Sequence, residues 1–217
     1  IVGHLHSVND IPPWREAYND LLPEVTRFYS ELGQNLALFS KYKALAASGE
    51  FARLDRAQRK TVENELRDFR LGGAELPPEE KARYMAIREK LSGHSSRFSD
   101  NVLDATNAFS HYATDAAEVA GIPQDVLQAA REAAQREGRP GWQFTLRAPS
   151  YFPVMQYADS RGLRELMYHA YVTRASEFGK PEWDNSPLIT EIVRLRGELA
   201  RLLGFANYAE YSLVPKM

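Results

Sequence analysis

The sequence has 217 residues, of which 44% are hydrophobic and 26% charged, and its formal net charge at pH 7 is −2. These values are typical of a soluble globular protein and do not indicate nucleic acid or an anionic membrane as a partner. The absence of cysteine excludes a disulfide framework, a thiolate metal site and a cysteine nucleophile.

No apolar run approaches the roughly 20 residues that a membrane-spanning helix needs. The first residues, IVGHLHSVND, lack the basic and apolar regions of a signal peptide. We therefore expect no membrane partner. The chain starts at Ile1 and not at Met, so we expect either a processed terminus or a piece of a longer protein.

Helical spacing of apolar residues dominates the first half of the chain. The first predicted helix covers about 14–32, with Asp10 as its N-cap and Pro23 as a kink or break. A second helix is predicted over 34–47. Asp55 is placed to cap a third.

A longer helix is predicted to follow Pro77. It keeps one apolar stripe for about 25 residues, through Gly93, which is typical of a packed helical array. Further on, an alanine-rich helix is predicted to end at about Arg136.

A strand is predicted over 142–147, where Trp142, Phe144 and Leu146 alternate with polar residues. Because a lone strand leaves its backbone groups unpaired, we expect the segment 110–115 to pair with it in antiparallel fashion. Helices follow, with Ser150 as the first cap and Asp159 or Ser160 as the next. A helix with Ser186 as its N-cap and Pro187 as its first residue follows, and then a final short helix.

The sequence therefore predicts a mainly α fold, a multi-helix array with one small antiparallel β element. We expect residues 1–217 to form a single, mostly helical segment. Within it, long helices occupy 1–109, a small β pair with an intervening helix occupies 110–149, and helices occupy 150–217.

The five histidines do not form a recognisable metal site. His4 and His6 lie two apart, which suits a strand or loop metal site, but no third ligand is near them in sequence. A solvated or capping role is expected for His94, beside Gly93. His111 falls in the predicted β segment, and His169 is expected to be an ordinary helical histidine.

No catalytic motif is present in these residues. The sequence contains no H-E-x-x-H, no phosphate-binding glycine loop and no G-x-S-x-G. The pairs Glu79/Glu80 and Glu63/Glu65 are expected to be solvated helix charges. The small cluster of Lys41, Tyr42 and Lys43 is a weak signal for nucleic acid. The spacing alone predicts no catalytic residue and no metal ligand, and it identifies no substrate-binding residue.

The segment 145–174 is the richest in aromatic residues and methionines, seven of which lie between Tyr151 and Tyr171. These side chains could line a ligand channel or pack in the core. Their helical spacing favours the core.

Several runs of residues resemble the thimet oligopeptidase–neurolysin family of zinc metallopeptidases. The most characteristic are FTLRAPSYFPVM at 144–155, LGGAELP at 71–77, FSDNVLDAT at 98–106 and LARLLGFANY at 199–208. The run DNS at 184–186 and the ending SLVPKM favour the bacterial oligopeptidase A branch over the animal enzymes. Dipeptidyl carboxypeptidases are near relatives.

The resemblance implies an N-terminal-to-middle fragment of a cytoplasmic zinc endopeptidase that degrades short peptides. It implies zinc in the parent enzyme, held by a catalytic part that follows this region, and none bound by this segment. This segment would form a helical wall of the substrate channel and be inactive alone. Without the missing catalytic lobe, we expect it to self-associate or to rearrange at its terminus. The alternative is a free-standing helical binding or scaffold module without catalysis.

Overall fold

The computed structural model describes residues 1–216 and has ten α-helices, two short 3-10 helices and one sheet within them. This confirms the mainly α fold with one small antiparallel β element. The 3-10 helices are Phe51–Arg53 and Pro181–Trp183. The other elements, in chain order, are α1 Val2–Val8, α2 Pro12–Gly33, α3 Leu36–Ala46, α4 Arg56–Leu71, α5 Pro78–Ala108, β1 His111–Ala113, α6 Gln124–Arg136, β2 Trp142–Phe144, α7 Ala148–Tyr157, α8 Arg161–Val172, α9 Ser186–Leu202 and α10 Tyr208–Leu213.

The chain divides into two compact units. The first consists of residues 1–96 together with the residues from 189 onward, and the second of residues 97–188. Helix α5 contributes residues 78–96 to the first unit and 97–108 to the second. Most of α9 belongs to the first unit.

The first unit has two apolar clusters. In one, Tyr84 and Ile87 of α5 pack against Leu195 and Leu199 of α9, and all four side chains are buried. In the other, Phe39 of α3 lies against Phe69 of α4, with ring centroids 5.3 Å apart. Each such side chain stabilises the fold by about 1.5–3 kcal/mol through its removal from water. The apolar stripes predicted on α5 and α9 are confirmed.

The start of α4 is fixed by a reciprocal pair of hydrogen bonds. An Asp55 carboxylate oxygen accepts from the Gln58 backbone N–H at 2.8 Å, and the Gln58 side-chain oxygen accepts from the Asp55 N–H at 3.1 Å. Such a capping box satisfies two backbone donors that the helix itself leaves free, and a good N-cap contributes about 1 kcal/mol. The Asp55 cap is confirmed.

The second unit is built around the predicted β pair. β1 and β2 pair antiparallel, with Tyr112 opposite Gln143, and α6 lies in the connection. Phe144 of this sheet is fully buried in one apolar cluster with Val154 of α7 and Met167 of α8. The strand is shorter than the period-two pattern predicted, because the Thr145 N–H donates to the Ser150 hydroxyl at 2.9 Å.

A buried amide pair holds the loop before α9 to α5. The Asn101 Nδ2 donates to Asn185 Oδ1 at 2.8 Å, and the Asn185 Nδ2 donates to the Phe98 carbonyl at 3.1 Å. Asn185 is only 2% exposed. Its backbone N–H donates to the Ala175 carbonyl at 3.0 Å, which helps to hold Ala175 at a φ of 52°, a left-handed conformation that non-glycine residues rarely adopt.

Two local predictions were wrong. Asp10 does not cap α2, whose N-cap is Ile11, because its carboxylate binds Arg15 and His6. Ser150 does not cap α7, which begins two residues earlier at Ala148. Of the kink or break predicted at Pro23, the break does not occur: α2 runs through this residue, and the carbonyl that loses its partner belongs to Asn19, which is exposed to water. The sequence also gave no indication of α1.

Substituting Gly141 and Gly138 separates a backbone clash from the cost of a positive φ. Both glycines have a positive φ, 86° and 66°, so alanine at either costs about 1–2 kcal/mol. A Cβ on Gly141 would also lie 2.0 Å from the Ala113 carbonyl oxygen, whereas a Cβ on Gly138 meets nothing within 4 Å. We expect Gly141→Ala to disrupt the β1–β2 pairing and to destabilise the chain clearly more than Gly138→Ala. Urea unfolding followed by circular dichroism measures the difference; equal losses would contradict the close approach.

Candidate functional site

Side-chain hydrogen bonds tie α2 to α5 at three levels in the first unit. The partners are Asn19 with Ser96 at 2.9 Å, Thr26 with Ser92 at 2.9 Å, and Arg27 with Glu89 at 3.1 Å. As residue numbers rise along α2 they fall along α5, so the two helices lie antiparallel. The contacts between α2 and α5 are thus mostly polar. Their side chains meet end to end and do not interdigitate, so space remains between the two helices.

An open groove of about 450 Å³ lies along this seam, within the range of about 300–1,000 Å³ found for small-ligand pockets. Helices α2 and α5 each supply a stripe of residues spaced by three and four positions. The lining residues are Val25, Thr26, Tyr29, Ser30, Gly33, Gly72, Tyr84, Arg88, Leu91, Ser92, Ser95, Arg196 and Tyr208.

Two of the residues that line the groove, Gly33 and Gly72, contribute backbone atoms only. A Cβ added to Gly72 would lie 3.1 Å from the Gly33 carbonyl oxygen and 3.2 Å from that of Asp68. Most side-chain contacts are looser than this, so the end of α2 and the end of α4 approach as closely as glycine permits. The space above them stays open.

The charged residues that line the groove are two arginines. Arg88 comes from α5 and Arg196 from α9, and no aspartate or glutamate is among the lining residues. The Arg196 guanidinium lies over the ring of Tyr208, 5.1 Å from its centroid. An arrangement of this kind attracts an anion.

Tyr84 forms the wall where the groove meets the apolar core. Its hydroxyl donates to the Leu71 carbonyl at 3.3 Å. Burial, with a smaller contribution from the nearby Tyr211, raises the pKa of Tyr84 to about 12, although Arg88 acts in the opposite direction. The phenol therefore stays protonated at any physiological pH, and it serves here as a hydrogen-bond donor, not as a base.

A second groove, of about 480 Å³, lies on the polar face of the small sheet in the second unit. Gln143 Nε2 donates to the Ser110 and Tyr112 hydroxyl oxygens at 3.0 Å each. The Arg147 guanidinium donates to Asn107 Oδ1 at 3.0 and 3.2 Å. Gln143 and Arg147 therefore already have hydrogen-bond partners within this groove.

The histidines singled out in the sequence are spread over several elements. His4 and His6 lie on the helix α1, not in the strand or loop that a metal site with their spacing would need. His6 stacks on Tyr18 with centroids 4.7 Å apart, and its Nδ1 is 3.1 Å from Asp10. His94 lies inside α5, where it cannot cap a helix end.

The other two histidines have ordinary surroundings. His111 Nε2 is 2.6 Å from a Glu118 carboxylate oxygen, and His169 is exposed on α8. Among residues 1–216, no three side chains of His, Cys, Asp or Glu gather closely enough to hold a metal ion. None of the helices in that range is long and apolar enough to cross a membrane.

The remaining candidates have local structural roles. Lys43 lies over the ring of Phe39, 4.5 Å from its centroid, and Tyr42 packs against Phe69. Glu63, Glu79 and Glu80 are exposed on helices, whereas Glu65 is half-buried. These residues gather around no shared cavity.

The aromatic and methionine segment serves two purposes. Tyr151 and Met167 are buried in the core, as the helical spacing favoured, and Tyr151 stacks on Tyr171 with centroids 4.1 Å apart. Phe152, Tyr157 and Tyr168 are at least half exposed.

The sequence reasoning missed the groove of the first unit altogether. The available signal was a polar stripe, Arg88, Ser92 and Ser95, beside the apolar stripe of α5.

Comparison with known proteins identifies the family. Residues 1–81 match the Neurolysin/Thimet oligopeptidase N-terminal domain, and residues 154–217 match Peptidase family M3. The chain belongs to the neurolysin–thimet oligopeptidase family. It is 48% identical over 218 residues to Oligopeptidase A of Haemophilus influenzae and 46% identical over 218 residues to that of Escherichia coli. Each alignment covers 100% of this chain and 32% of the relative.

The oligopeptidase A branch is also the more similar branch. Dipeptidyl carboxypeptidase of Salmonella typhimurium is 28% identical over 213 residues, covering 98% of this chain and 31% of that protein. The chain spans about a third of the length of these curated relatives and corresponds to a fragment of them.

Ionisation of Tyr84 should lower the stability of this M3-family chain at alkaline pH. Because its pKa is raised in the folded chain, its contribution is complete below pH 10 and is lost as the pH rises toward 12. Two pKa units correspond to about 2–3 kcal/mol. We expect the difference in unfolding free energy between the wild type and Tyr84→Phe to shrink by about that amount between pH 10 and 12. Urea unfolding at several pH values measures it, and parallel curves would contradict the burial of this phenol.

Proposed function

We propose that this chain is the N-terminal portion of a zinc-dependent oligopeptidase that degrades short peptides in the cytoplasm. The observation that supports this proposal most directly is the alignment of the entire chain with proteins named Oligopeptidase A, at 46–48% identity. In this proposal the chain forms a helical wall of the substrate channel, and the chemistry belongs to the catalytic lobe that is its partner.

Zinc does not fit the residues of this chain. The sequence has no H-E-x-x-H, and within residues 1–216 no cluster of three possible ligands occurs. We therefore derive no step of peptide hydrolysis through a metal here. The chain's own contribution is shape: two open grooves of about 450 and 480 Å³, one in each unit.

The absence of catalysis is directly measurable. We expect the 217-residue chain, incubated with zinc and a quenched fluorescent short peptide, to show no cleavage that a chelator removes. Oligopeptidase A of Escherichia coli, assayed with the same peptide, is the positive control. Cleavage that a chelator abolishes and added zinc restores would overturn the proposal.

The parent reading frame separates this proposal from the alternative. An H-E-x-x-H encoded downstream of Met217 supports the peptidase portion. A stop codon soon after Met217 supports a free-standing helical binding or scaffold module.

The proposed loss of the catalytic lobe also predicts self-association. On α2, Leu21, Phe28 and Leu32 are spaced by seven and four positions, and each is 41–59% exposed. Exposed apolar patches of a few hundred Å² tend to bind partners. We expect a second copy of the chain to cover this stripe, so that the apparent mass measured by light scattering rises with concentration.

A matched pair of variants tests that stripe. Phe28→Ser should reduce the association, whereas Phe178→Ser, which removes an even more exposed phenylalanine from the second unit, should not. A monomer at every concentration, or an equal effect of the two variants, would contradict the assignment.

A further inference from the structure

The two arginines of the first groove differ from their neighbours on the same helices. On α5, Arg83 forms an ion pair with Glu198, and on α9, Arg194 binds Glu191 and Glu198. Within residues 1–216, neither Arg88 nor Arg196 takes part in an ion pair. Within these residues, no acidic side chain therefore neutralises their positive charges.

The hydroxyl groups around these arginines can also donate. Thr26 Oγ1 donates to Ser92 Oγ at 2.9 Å, and both hydroxyls line the groove. The Tyr208 ring lies under the Arg196 guanidinium and limits where it can turn. Guanidinium and hydroxyl donors together match the oxygens of a carboxylate, which accepts several hydrogen bonds at once.

The groove also has apolar lining side chains. Val25 and Tyr29 of α2 are 48% and 65% exposed, and Leu91 of α5 faces the same space. A ligand that suits both kinds of lining residue has a negatively charged end and an apolar body.

We propose that this groove binds a peptide through a carboxylate group, received by Arg88 and Arg196. Either the C-terminal carboxylate or an acidic side chain supplies this chemistry. The site lies outside the proposed cleavage chemistry and does not depend on it, because binding is measured on a chain that is expected not to cleave.

Fluorescence anisotropy with labelled pentapeptides tests the site and distinguishes the two sources of carboxylate. Three N-blocked peptides are compared: an apolar one with a free C-terminus, the same peptide amidated, and an amidated peptide with one glutamate. We expect the amidated apolar peptide to bind at least about tenfold more weakly than at least one carboxylate peptide, since a charge-assisted hydrogen bond is worth about 1.5–3 kcal/mol, and about 1.4 kcal/mol is tenfold. The tighter of the two carboxylate peptides identifies the source.

Variants connect this binding to the two arginines. Arg88→Gln and Arg196→Gln should each weaken binding of the carboxylate peptide about tenfold or more. Both residues are exposed, so both variants should fold, which the far-ultraviolet circular dichroism spectrum checks. Arg59→Gln, at an exposed position of α4 outside the groove, removes the same charge and should leave the affinity unchanged.

Three results would overturn the proposal. Equal weakening by Arg59→Gln and Arg88→Gln would show non-specific attraction by charge. Equal affinity for the amidated and free apolar peptides, with no gain from glutamate, would show that no carboxylate is recognised. Displacement of the peptide by inorganic phosphate at a lower concentration than by glutarate would assign the arginines to phosphate instead.

Discussion

The hydrogen bond from the Asn101 amide to Asn185 is the contact on which the second unit most depends. Both side chains are buried, and the Asn185 amide also binds the Phe98 carbonyl. A buried amide without a partner costs about 1–3 kcal/mol, so this network forms only when the loop and α5 are in register. It thereby fixes the residues on either side: Asn185 holds Ala175 in its strained conformation, and Asp184 accepts from the Ser186 N–H at the start of α9.

The first unit depends on the same helix α5 in a different way. Apolar side chains of α5 pack on α9, while its polar side chains join it to α2. An apolar seam would have filled the space between α2 and α5 with interlocking side chains. The polar seam leaves an open groove, and two arginines without acidic partners give that groove its positive charge. The proposed binding site of this chain is therefore a place where the packing of two helices is incomplete.

Much of the fold could be predicted from local patterns. The apolar stripes of α5 and α9, the Asp55 and Ser160 caps and the antiparallel pairing of 110–115 with 142–147 are confirmed. The errors arose where a side chain found a better partner than its own backbone: Asp10 binds Arg15, and Ser150 accepts from Thr145. Helix α1 was missed because its seven residues are too few to establish an apolar period. The groove was missed because its two arginines are 108 residues apart in sequence.

The sequence by itself determined the type of most elements and, through its characteristic runs, the family. It could do so because apolar periodicity and capping depend on neighbours within a few residues. The tertiary structure alone decided which distant polar groups meet. Asn101 reaches Asn185 across 84 positions, and Arg88 shares a groove with Arg196 because α2, α5 and α9 pack together. A local sequence pattern cannot predict such a contact. The residues next to each arginine along its helix are the same whether or not a distant acidic residue forms an ion pair with it.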